Sequence, residues 1–444
     1  MDILSLALQL ILSLSILVVL HEAGHFFPAR WFKTRVEKFY LFFNPWFSLF
    51  KVKKGETEYG IGWIPFGGYV KIAGMIDESM DKEQMKLPPQ PWEFRSKKAW
   101  QRLIIMIGGV TVNFILGFLI FGFILFYWGE TYIKNSDVKY GIAVDSLGIQ
   151  LGLMDGDKVL KVGEAEMIKF NPGFVTKEII LHDAKEITIE REGQVMQIPV
   201  DPAMTGELTK YENKSKRLFY TRIPLGVDEV TKGSNAEKAG LKDNDKIVQV
   251  QGVPTQYFHE LTKILQANKG KELNFTIVRN DSDTLSLPIM VTDAGTIGFK
   301  PTPPDRFFEQ SRERYSILQA LPKGVSMGVN FLTDQIKAFG QIFAGRIKAK
   351  DSLGSIFSMA SMFDTGWDWE VFWRMTGMLS ILLAFFNLLP IPALDGGYVL
   401  FLLWEIISGK APSDKFMEVV NIIGFVLLLT LMVFALGLDI SRWF

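Results

Sequence analysis

Cysteine is absent from this sequence of 444 residues, and histidine occurs only four times. The absence of cysteine excludes disulfide bonds, zinc sites built from thiolates and cysteine nucleophiles. Any bound metal ion must therefore be held by His, Asp or Glu. A net positive charge is absent too, because 48 Lys and Arg balance 48 Asp and Glu. This balance argues against nucleic acid as a partner, since such proteins bind it through a basic surface.

Hydrophobic residues are abundant, at 48% of the sequence. This composition disfavours intrinsic disorder and indicates that part of the chain lies in the lipid bilayer. Four apolar segments are long enough to cross a hydrocarbon core of about 30 Å. Three of them are uninterrupted, at residues 3–20, 103–128 and 419–438. The fourth, 375–404, contains Pro390, Pro392 and Asp395, so we predict a broken helix there.

The loop between the first two spans is strongly basic, with Lys and Arg spread through residues 30–102, including Lys82 and Lys86. No Lys or Arg precedes the first span. The positive-inside rule therefore places this loop in the cytoplasm, and both termini and the central region on the outer face. Because the first span lacks a basic n-region and exceeds a usual signal h-region in length, we expect it to remain in the mature protein.

The central region contains an internal repeat, which indicates two tandem modules. Residues 233–248 resemble PDZ domains of the bacterial protease type, which bind an extended chain by adding it to a sheet edge. The alternative role is steric bulk without a ligand. In the second copy we predict strands over 225–230, 246–251 and 272–279, and helices over 235–239 and 257–267. Ser146, Gly152, Leu153, Asp155, Asp157, Lys158 and Val162 recur as Ser234, Gly240, Leu241, Asp243, Asp245, Lys246 and Val250.

The motif His21-Glu22-Ala23-Gly24-His25 directly follows the first apolar segment. Residues four apart share one face of a helix, so both imidazoles can reach one Zn²⁺ while Glu22 can take a proton from a bound water. Ionisable groups at this depth in a membrane are costly and indicate function. The alternative is a structural role, in which the histidines cap the helix end at the interface.

A third zinc ligand must come from elsewhere, because a catalytic zinc site takes three protein ligands and one open position for water. His182 and His259 lie in the central modules, so a carboxylate from another segment is needed. Asp395 is the best candidate, since it is the only charge between Arg374 and Glu405. Its alternative role is that of a helix cap.

Four features together resemble the site-2 protease family of intramembrane zinc metalloproteases, in the bacterial branch that acts on anti-sigma factors. They are the HEAGH motif, residues 65–71 (PFGGYVK), the tandem modules and residues 387–397 (NLLPIPALDGG), and they extend over essentially the whole chain. The resemblance implies a zinc cofactor and a set of site residues. These are the zinc ligands His21, His25 and Asp395, the general base Glu22, and the substrate-binding residues Asn387, Pro390, Gly67 and Gly68.

The expected fold class is a multi-pass α-helical membrane protein with four transmembrane segments, two extracytoplasmic PDZ-like α+β domains and a membrane-associated β-hairpin. The resemblance implies that this hairpin, formed by residues 47–52 and 59–64, dips into the membrane and pairs with an extended substrate. The alternative is a plain cytoplasmic hairpin with no role in substrate binding. The predicted boundaries are 1–34 (first transmembrane helix), 35–100 (cytoplasmic loop with the hairpin), 101–130 (second transmembrane helix), 131–220 and 221–302 (PDZ domains), 303–368 (amphipathic helical region), 369–408 (third transmembrane segment) and 409–444 (fourth transmembrane helix).

The resemblance also implies regulated intramembrane proteolysis in the bacterial cytoplasmic (inner) membrane, with the PDZ domains in the periplasm and the active site near the cytoplasmic face. Expected substrates are single-span membrane proteins, such as anti-sigma factors that an outer protease has already trimmed, and remnant signal peptides. The two modules would exclude untrimmed proteins by size. A membrane-anchored PDZ scaffold with a structural zinc site is the main alternative. A transporter is disfavoured, because four spans without an inverted repeat do not fit that class.

Overall fold

The computed structural model describes residues 2–75, 88–214, 216–280, 282–352 and 354–443. Lys82 and Lys86 of the predicted basic loop lie outside these residues. The α-helices of the described residues are α1 (Asp2–Trp31), α2 (Ala99–Tyr127), α3 (Ser146–Gln150), α4 (Pro172–His182), α5 (Ala203–Thr209), α6 (Asn235–Lys238), α7 (Phe258–Ala267), α8 (Ile317–Phe343), α9 (Ala349–Ser352), α10 (Ile356–Ala360), α11 (Trp369–Leu388), α12 (Asp395–Ser408) and α13 (Asp414–Trp443).

The strands of the described residues are β1 (Val36–Phe43), β2 (Phe50–Lys54), β3 (Thr57–Ile61), β4 (Ile64–Ile72), β5 (Glu130–Ile133), β6 (Ile142–Val144), β7 (Lys158–Val162), β8 (Ala165–Glu166), β9 (Glu186–Arg191), β10 (Gln194–Pro199), β11 (Phe219–Thr221), β12 (Val227–Val230), β13 (Lys246–Val250), β14 (Val253–Pro254), β15 (Glu272–Arg279), β16 (Asp283–Met290), β17 (Phe299–Pro301) and β18 (Gln310–Glu313). The chain divides into two compact units. One comprises residues 1–129, 314–336 and 353–444, and the other comprises 130–313 and 337–352.

Four helices of the first unit, α1, α2, α11 and α13, are long and apolar enough to cross a membrane. They correspond to the four predicted spans and are consistent with a multi-pass membrane protein. The predicted break in the third span is present, because α11 ends at Leu388 and α12 begins at Asp395. Pro390 and Pro392 lie in the intervening turn, where Ala393 has a φ of 73°.

Small and polar residues bring α2 close to α11. A Cβ on Gly117 would lie 3.2 Å from the Gly377 carbonyl oxygen. The Ser380 hydroxyl donates a hydrogen bond of 2.7 Å to the carbonyl oxygen of Asn113. In lipid, where apolar surface alone gives helices little reason to associate, such close approaches and interhelical hydrogen bonds stabilise the packing.

A four-stranded sheet follows α1, with the strand order β2-β3-β1-β4. Strands β2 and β3 form the predicted hairpin, with Lys54 opposite Thr57. The hairpin is only the outer half of this sheet, because β1 pairs parallel with β3 and antiparallel with β4. Strand β4 is the other edge, and it lies against α1, since a Cβ on Gly68 would lie 2.6 Å from Val18 Cγ1. The strand edge next to the HEAGH helix is therefore β4 and not the hairpin.

The second unit contains two α+β modules whose sheets have the same strand order. The first sheet is β8-β7-β9-β10 and the second is β14-β13-β15-β16. Two contacts recur at equivalent positions of the two copies. Arg191 forms an ion pair with Asp157 and donates to the Gly152 carbonyl oxygen. Arg279 does the same with Asp245 and Gly240.

The elements predicted for the second copy are confirmed, with small shifts at their ends. They are β12, α6, β13, α7 and β15, of which β15 has the predicted bounds. The buried core of this module includes Ile247, Leu261, Phe275 and Ile277. These residues come from alternate positions of the strands and one face of α7, so the apolar periodicity that predicted the elements also forms the core.

Candidate metal centre

Two imidazoles and one carboxylate meet where α1 and α12 approach each other. The Nε2 atoms of His21 and His25 are 3.2 Å apart, and they lie 3.2 Å and 3.3 Å from Asp395 Oδ2. Both histidines are buried. They share one face of α1 because they are about one helical turn apart. The three residues each offer one ligand atom, and these atoms lie within 4.8 Å of one another.

The turn between α11 and α12 places Asp395 at the first position of α12. The Leu394 amide donates to the Ile391 carbonyl oxygen at 3.1 Å, which folds the chain back after α11 ends. Gly396 has no room for a side chain, because a Cβ there would clash with the carbonyl oxygens of Leu388 and Leu389. The glycine after Asp395 thus allows the start of α12 to lie directly against the end of α11.

Helix α2 forms the wall behind the two imidazoles. The Ile105 carbonyl oxygen lies 2.9 Å from His25 Nδ1 and accepts its hydrogen. A Cβ on Gly109 would lie 2.7 Å from His21 Cε1 and would clash with His25 Nε2. The side-chain nitrogen of Asn113 lies 3.2 Å from His21 Nδ1. One helix therefore contacts both rings.

The donor atoms of this group suit a zinc ion. Because His25 Nδ1 donates to Ile105, its Nε2 carries a lone pair when the ring is neutral. That lone pair faces Asp395 Oδ2, and within the described residues no donor other than the two imidazoles reaches Oδ2. Electron-rich atoms at this separation repel one another unless a proton or a cation lies between them. Two imidazole nitrogens and one carboxylate oxygen are a zinc donor set that leaves a fourth position open.

Glu22 lies beside this group, between the histidines and the sheet. It lines the same cavity as His21, His25 and Asp395. Its carboxylate accepts a hydrogen bond from the backbone amide of Val70 in β4. Gly68, two residues earlier, approaches the Glu22 side chain so closely that a Cβ there would lie 3.7 Å from Glu22 Cγ. Amides two residues apart on a strand point the same way, so the backbone groups of Gly68 also face this side.

The cavity has a volume of about 510 Å³ and is lined by several elements of the first unit. The lining residues come from the HEAGH helix, from β1 and residues 68–72 of β4, from Met75 and Met106, from the turn before α12 and the first turn of α12, and from one face of α13. That face of α13 carries Glu418, Asn421 and Phe425. An open space of this size next to the donor group can admit a short stretch of extended chain.

The substrate-binding residues predicted from the sequence occupy different places. Gly68 lines the cavity, whereas Gly67 has a φ of 74° and lies against the Phe43 ring. Asn387 is half-buried near the end of α11, and Pro390 is exposed. Neither is among the described residues that line the cavity.

Sequence reasoning missed two polar contributors to the site, Asn113 and Asn421. Asn113 is fully buried beside His21. Asn421 lines the cavity and donates a hydrogen bond of 3.0 Å to the Tyr398 hydroxyl. Each is one of very few polar residues in a predicted span, and polar side chains at membrane depth indicate function. That signal could have identified both.

Comparison with known proteins agrees with this geometry. The family model described as Peptidase family M50 matches residues 9–431. A protein of Neisseria meningitidis named as a zinc metalloprotease is 27% identical, over 98% of this chain and 98% of its own length. The Regulator of sigma E protease of Haemophilus influenzae is 27% identical, over 97% of this chain and 98% of its own length. The resemblance is confirmed: this chain belongs to peptidase family M50 and is a zinc metalloprotease.

Proposed function

We propose that this protein cleaves transmembrane segments of single-span membrane proteins, with His21, His25 and Asp395 as zinc ligands and Glu22 as general base. The observation that supports this most strongly is the convergence of the three donor atoms within 4.8 Å. The donors come from α1, which is the first span, and from α12, which begins directly after the break in the third span. A metal-dependent site built on apolar helices suits a substrate that itself lies in lipid.

Zinc bound by these residues supplies Lewis acidity toward a water molecule and toward the scissile carbonyl. Glu22 accepts the proton of the attacking water and then delivers it to the leaving amine, so one carboxylate serves as base and as acid. The Val70 amide holds the Glu22 carboxylate in place between these two transfers. His25 keeps its Nε2 directed at the centre because Ile105 accepts the hydrogen of Nδ1.

The substrate must be unwound before cleavage, because a transmembrane helix engages its carbonyl groups in its own hydrogen bonds. The unwound segment then needs new partners for its amides and carbonyls. The edge of β4 supplies them, since β4 pairs on one side with β1 and presents the backbone of Gly68 beside Glu22. We therefore assign the substrate-pairing edge to β4 in place of the hairpin of β2 and β3, with Gly67 and Gly68 keeping its surface free of side chains. Asn387 and Pro390 retain their predicted role in holding the substrate.

We propose that the two α+β modules are PDZ domains that determine which substrates are selected. Their shared strand order and the resemblance of residues 233–248 support this assignment. A size filter would admit a single-span protein only after its outer part has been removed. By analogy with the named Regulator of sigma E protease, the substrates would be trimmed anti-sigma factors and remnant signal peptides. The modules could also hold peptide ligands by strand addition.

The basic loop supports an orientation in the bacterial inner membrane. Residues 30–102 would face the cytoplasm, and the modules would lie in the periplasm. His21 follows the first apolar segment on its loop side, so the zinc site would lie near the cytoplasmic face.

The test is cleavage of a single-span substrate by protein purified in detergent, with zinc content measured in parallel. Glu22→Gln should keep stoichiometric zinc and lose cleavage by at least a hundredfold, whereas Asp395→Ala should lose both. Glu56→Gln, a matched change at an exposed carboxylate of the hairpin turn, should behave like the wild type. If Glu22→Gln cleaved at the wild-type rate, the catalytic assignment would be wrong. A scaffold with a structural zinc would then be the better account.

A further inference from the structure

A stripe of residues on α2 matches the spacing of the two histidines on α1. Ile105, Gly109 and Asn113 recur every four residues, as do His21 and His25. The Ile105 carbonyl oxygen accepts from His25 Nδ1, and Gly109 leaves room for both rings. Asn113 completes the stripe by contacting His21 Nδ1 at 3.2 Å. Each imidazole thus has one partner on α2 for the nitrogen that points away from the metal centre.

The two partners differ in kind, and the difference matters for His21. A backbone carbonyl can only accept a hydrogen bond, so Ile105 fixes the hydrogen of His25 on Nδ1. An amide side chain can either accept through Oδ1 or donate through Nδ2. In the present arrangement Nδ2 faces His21 Nδ1, so the hydrogen of a neutral His21 ring lies on Nε2 and can point at Asp395 Oδ2, 3.2 Å away.

A metal ion at the centre requires the other tautomer, because Nε2 must then offer a lone pair. His21 Nδ1 carries the hydrogen in that state and needs an acceptor. Asn113 provides one if its amide rotates by 180°, which exchanges Oδ1 for Nδ2 at nearly the same position. Asn113 is 0% exposed, and its Oδ1 has no hydrogen-bond partner among the described residues. This amide oxygen is therefore available to accept the hydrogen of His21 Nδ1.

We propose that Asn113 is a positioning residue that sets the tautomer and ring orientation of His21, its side-chain amide accepting a hydrogen bond from Nδ1 when zinc is bound. The proposal rests on the ligand role of His21 in the proposed function. The backbone of Asn113 is held in place independently, because its carbonyl oxygen accepts from Ser380 on α11. The side chain can rotate without moving the helix.

The distinguishing experiment is zinc affinity, measured by chelator competition on the full protein in detergent. Asn113→Leu has similar volume and no acceptor, so zinc should bind 10- to 100-fold more weakly, the range found for lost hydrogen bonds to metal-ligating histidines. Asn113→Asp offers an acceptor oxygen whether or not its carboxyl is ionised, and it should keep affinity within about threefold of the wild type. The visible spectrum of the cobalt-substituted protein should change in Asn113→Leu and not in Asn113→Asp.

Thr376→Val is the matched control, because it removes another buried interhelical hydrogen bond, from Thr376 to Ser13 at 3.0 Å, that does not touch the site. Its zinc affinity should equal that of the wild type. If Asn113→Leu bound zinc as tightly as Thr376→Val, the positioning role would be refuted.

The variant His21→Ala distinguishes a wrong positioning role for Asn113 from a wrong proposed function. Retention of zinc by His21→Ala would refute the ligand assignment itself, and loss of zinc would leave it intact. If Asn113→Leu does not fold, an Asn113→Asp variant that binds zinc more than tenfold more weakly would also overturn the proposal.

Discussion

Gly24 of α1, within the HEAGH motif, and Gly108 of α2 touch through their backbones. A Cβ on Gly24 would lie 2.5 Å from the Gly108 carbonyl oxygen, and a Cβ on Gly108 would clash with the Gly24 carbonyl oxygen. Two glycines at a crossing let helix backbones approach closely within a bilayer. This approach brings Ile105, Gly109 and Asn113 within reach of the histidines.

We predict that Gly108→Ala separates the two spans and weakens the zinc site. The added methyl group has no space, so α2 must shift away from α1 and its contacts with both imidazoles must lengthen. Zinc affinity should fall at least tenfold, and the melting temperature should decrease. Gly437→Ala is the control, because a Cβ there meets nothing within 4 Å and alanine favours a helix over glycine by about 1 kcal/mol. Equal zinc affinity in the two variants would contradict the prediction.

Part of this arrangement could be predicted from the sequence. The spacing of His21 and His25 is a local property of one helix, and Asp395 is the sole charge in a broken span. Strand β4 was missed, because Pro65, Gly67 and Gly68 within it are residue types that are typical of turns. Its partner β1 pairs in parallel with β3, and a long-range parallel pairing leaves no mark in the local pattern. Asn113 was missed because one polar residue does not interrupt the long apolar segment in which it lies.

Asn421 offers a test of the cavity as the substrate site. It is held there by α13, which packs directly on the broken span because Gly424 lies against the Pro392 carbonyl oxygen. Within the described residues its Oδ1 is buried without a hydrogen-bond partner, while Nδ2 donates to Tyr398. We therefore expect Oδ1 to accept a hydrogen bond from a backbone amide of the bound substrate.

Substitution Asn421→Leu should raise KM about three- to tenfold and leave kcat nearly unchanged, since one net hydrogen bond contributes about 0.5–1.5 kcal/mol. Steady-state cleavage of a detergent-solubilised single-span substrate measures both constants. Thr430→Val on the same helix is the control, because the Thr430 hydroxyl donates its hydrogen bond to the Val426 carbonyl oxygen within α13. A loss of kcat with constant KM would argue against a substrate-binding role.

The second module should lose stability in acid through Asp245. Burial alone would raise the pKa of this carboxyl, but hydrogen bonds from Arg279 and from the Lys242 amide outweigh it and lower the pKa below the usual value. A carboxyl with a lowered pKa in the folded state stabilises the fold above its unfolded pKa of about 4. The stabilisation is lost as the pH falls from about 4 through the folded pKa.

Hydrogen exchange of β13 and β15, corrected for its intrinsic pH dependence, should therefore accelerate below about pH 4. Asp245→Asn removes the charge, so exchange should be faster than in the wild type at neutral pH and should change less on acidification. Asp293→Asn in the same module serves as a matched change, because Asp293 takes no part in this ion pair. A wild-type protein and an Asp245→Asn variant with the same pH profile would show that the ion pair contributes nothing.

Removal of zinc should destabilise the membrane unit as well as stop cleavage. His25 Nε2 and Asp395 Oδ2 lie 3.3 Å apart, and a cation between these two electron-rich atoms makes the contact favourable. A ligand present at 1,000 times its dissociation constant stabilises the folded state by about 4 kcal/mol. Treatment with a chelator should therefore lower the melting temperature of the wild type by several degrees, and added zinc should restore both stability and cleavage.

Asp395→Ala already lacks the third donor, so its melting temperature should not respond to chelator or to zinc. A chelator effect of equal size in Asp395→Ala would mean that the stabilising zinc binds elsewhere.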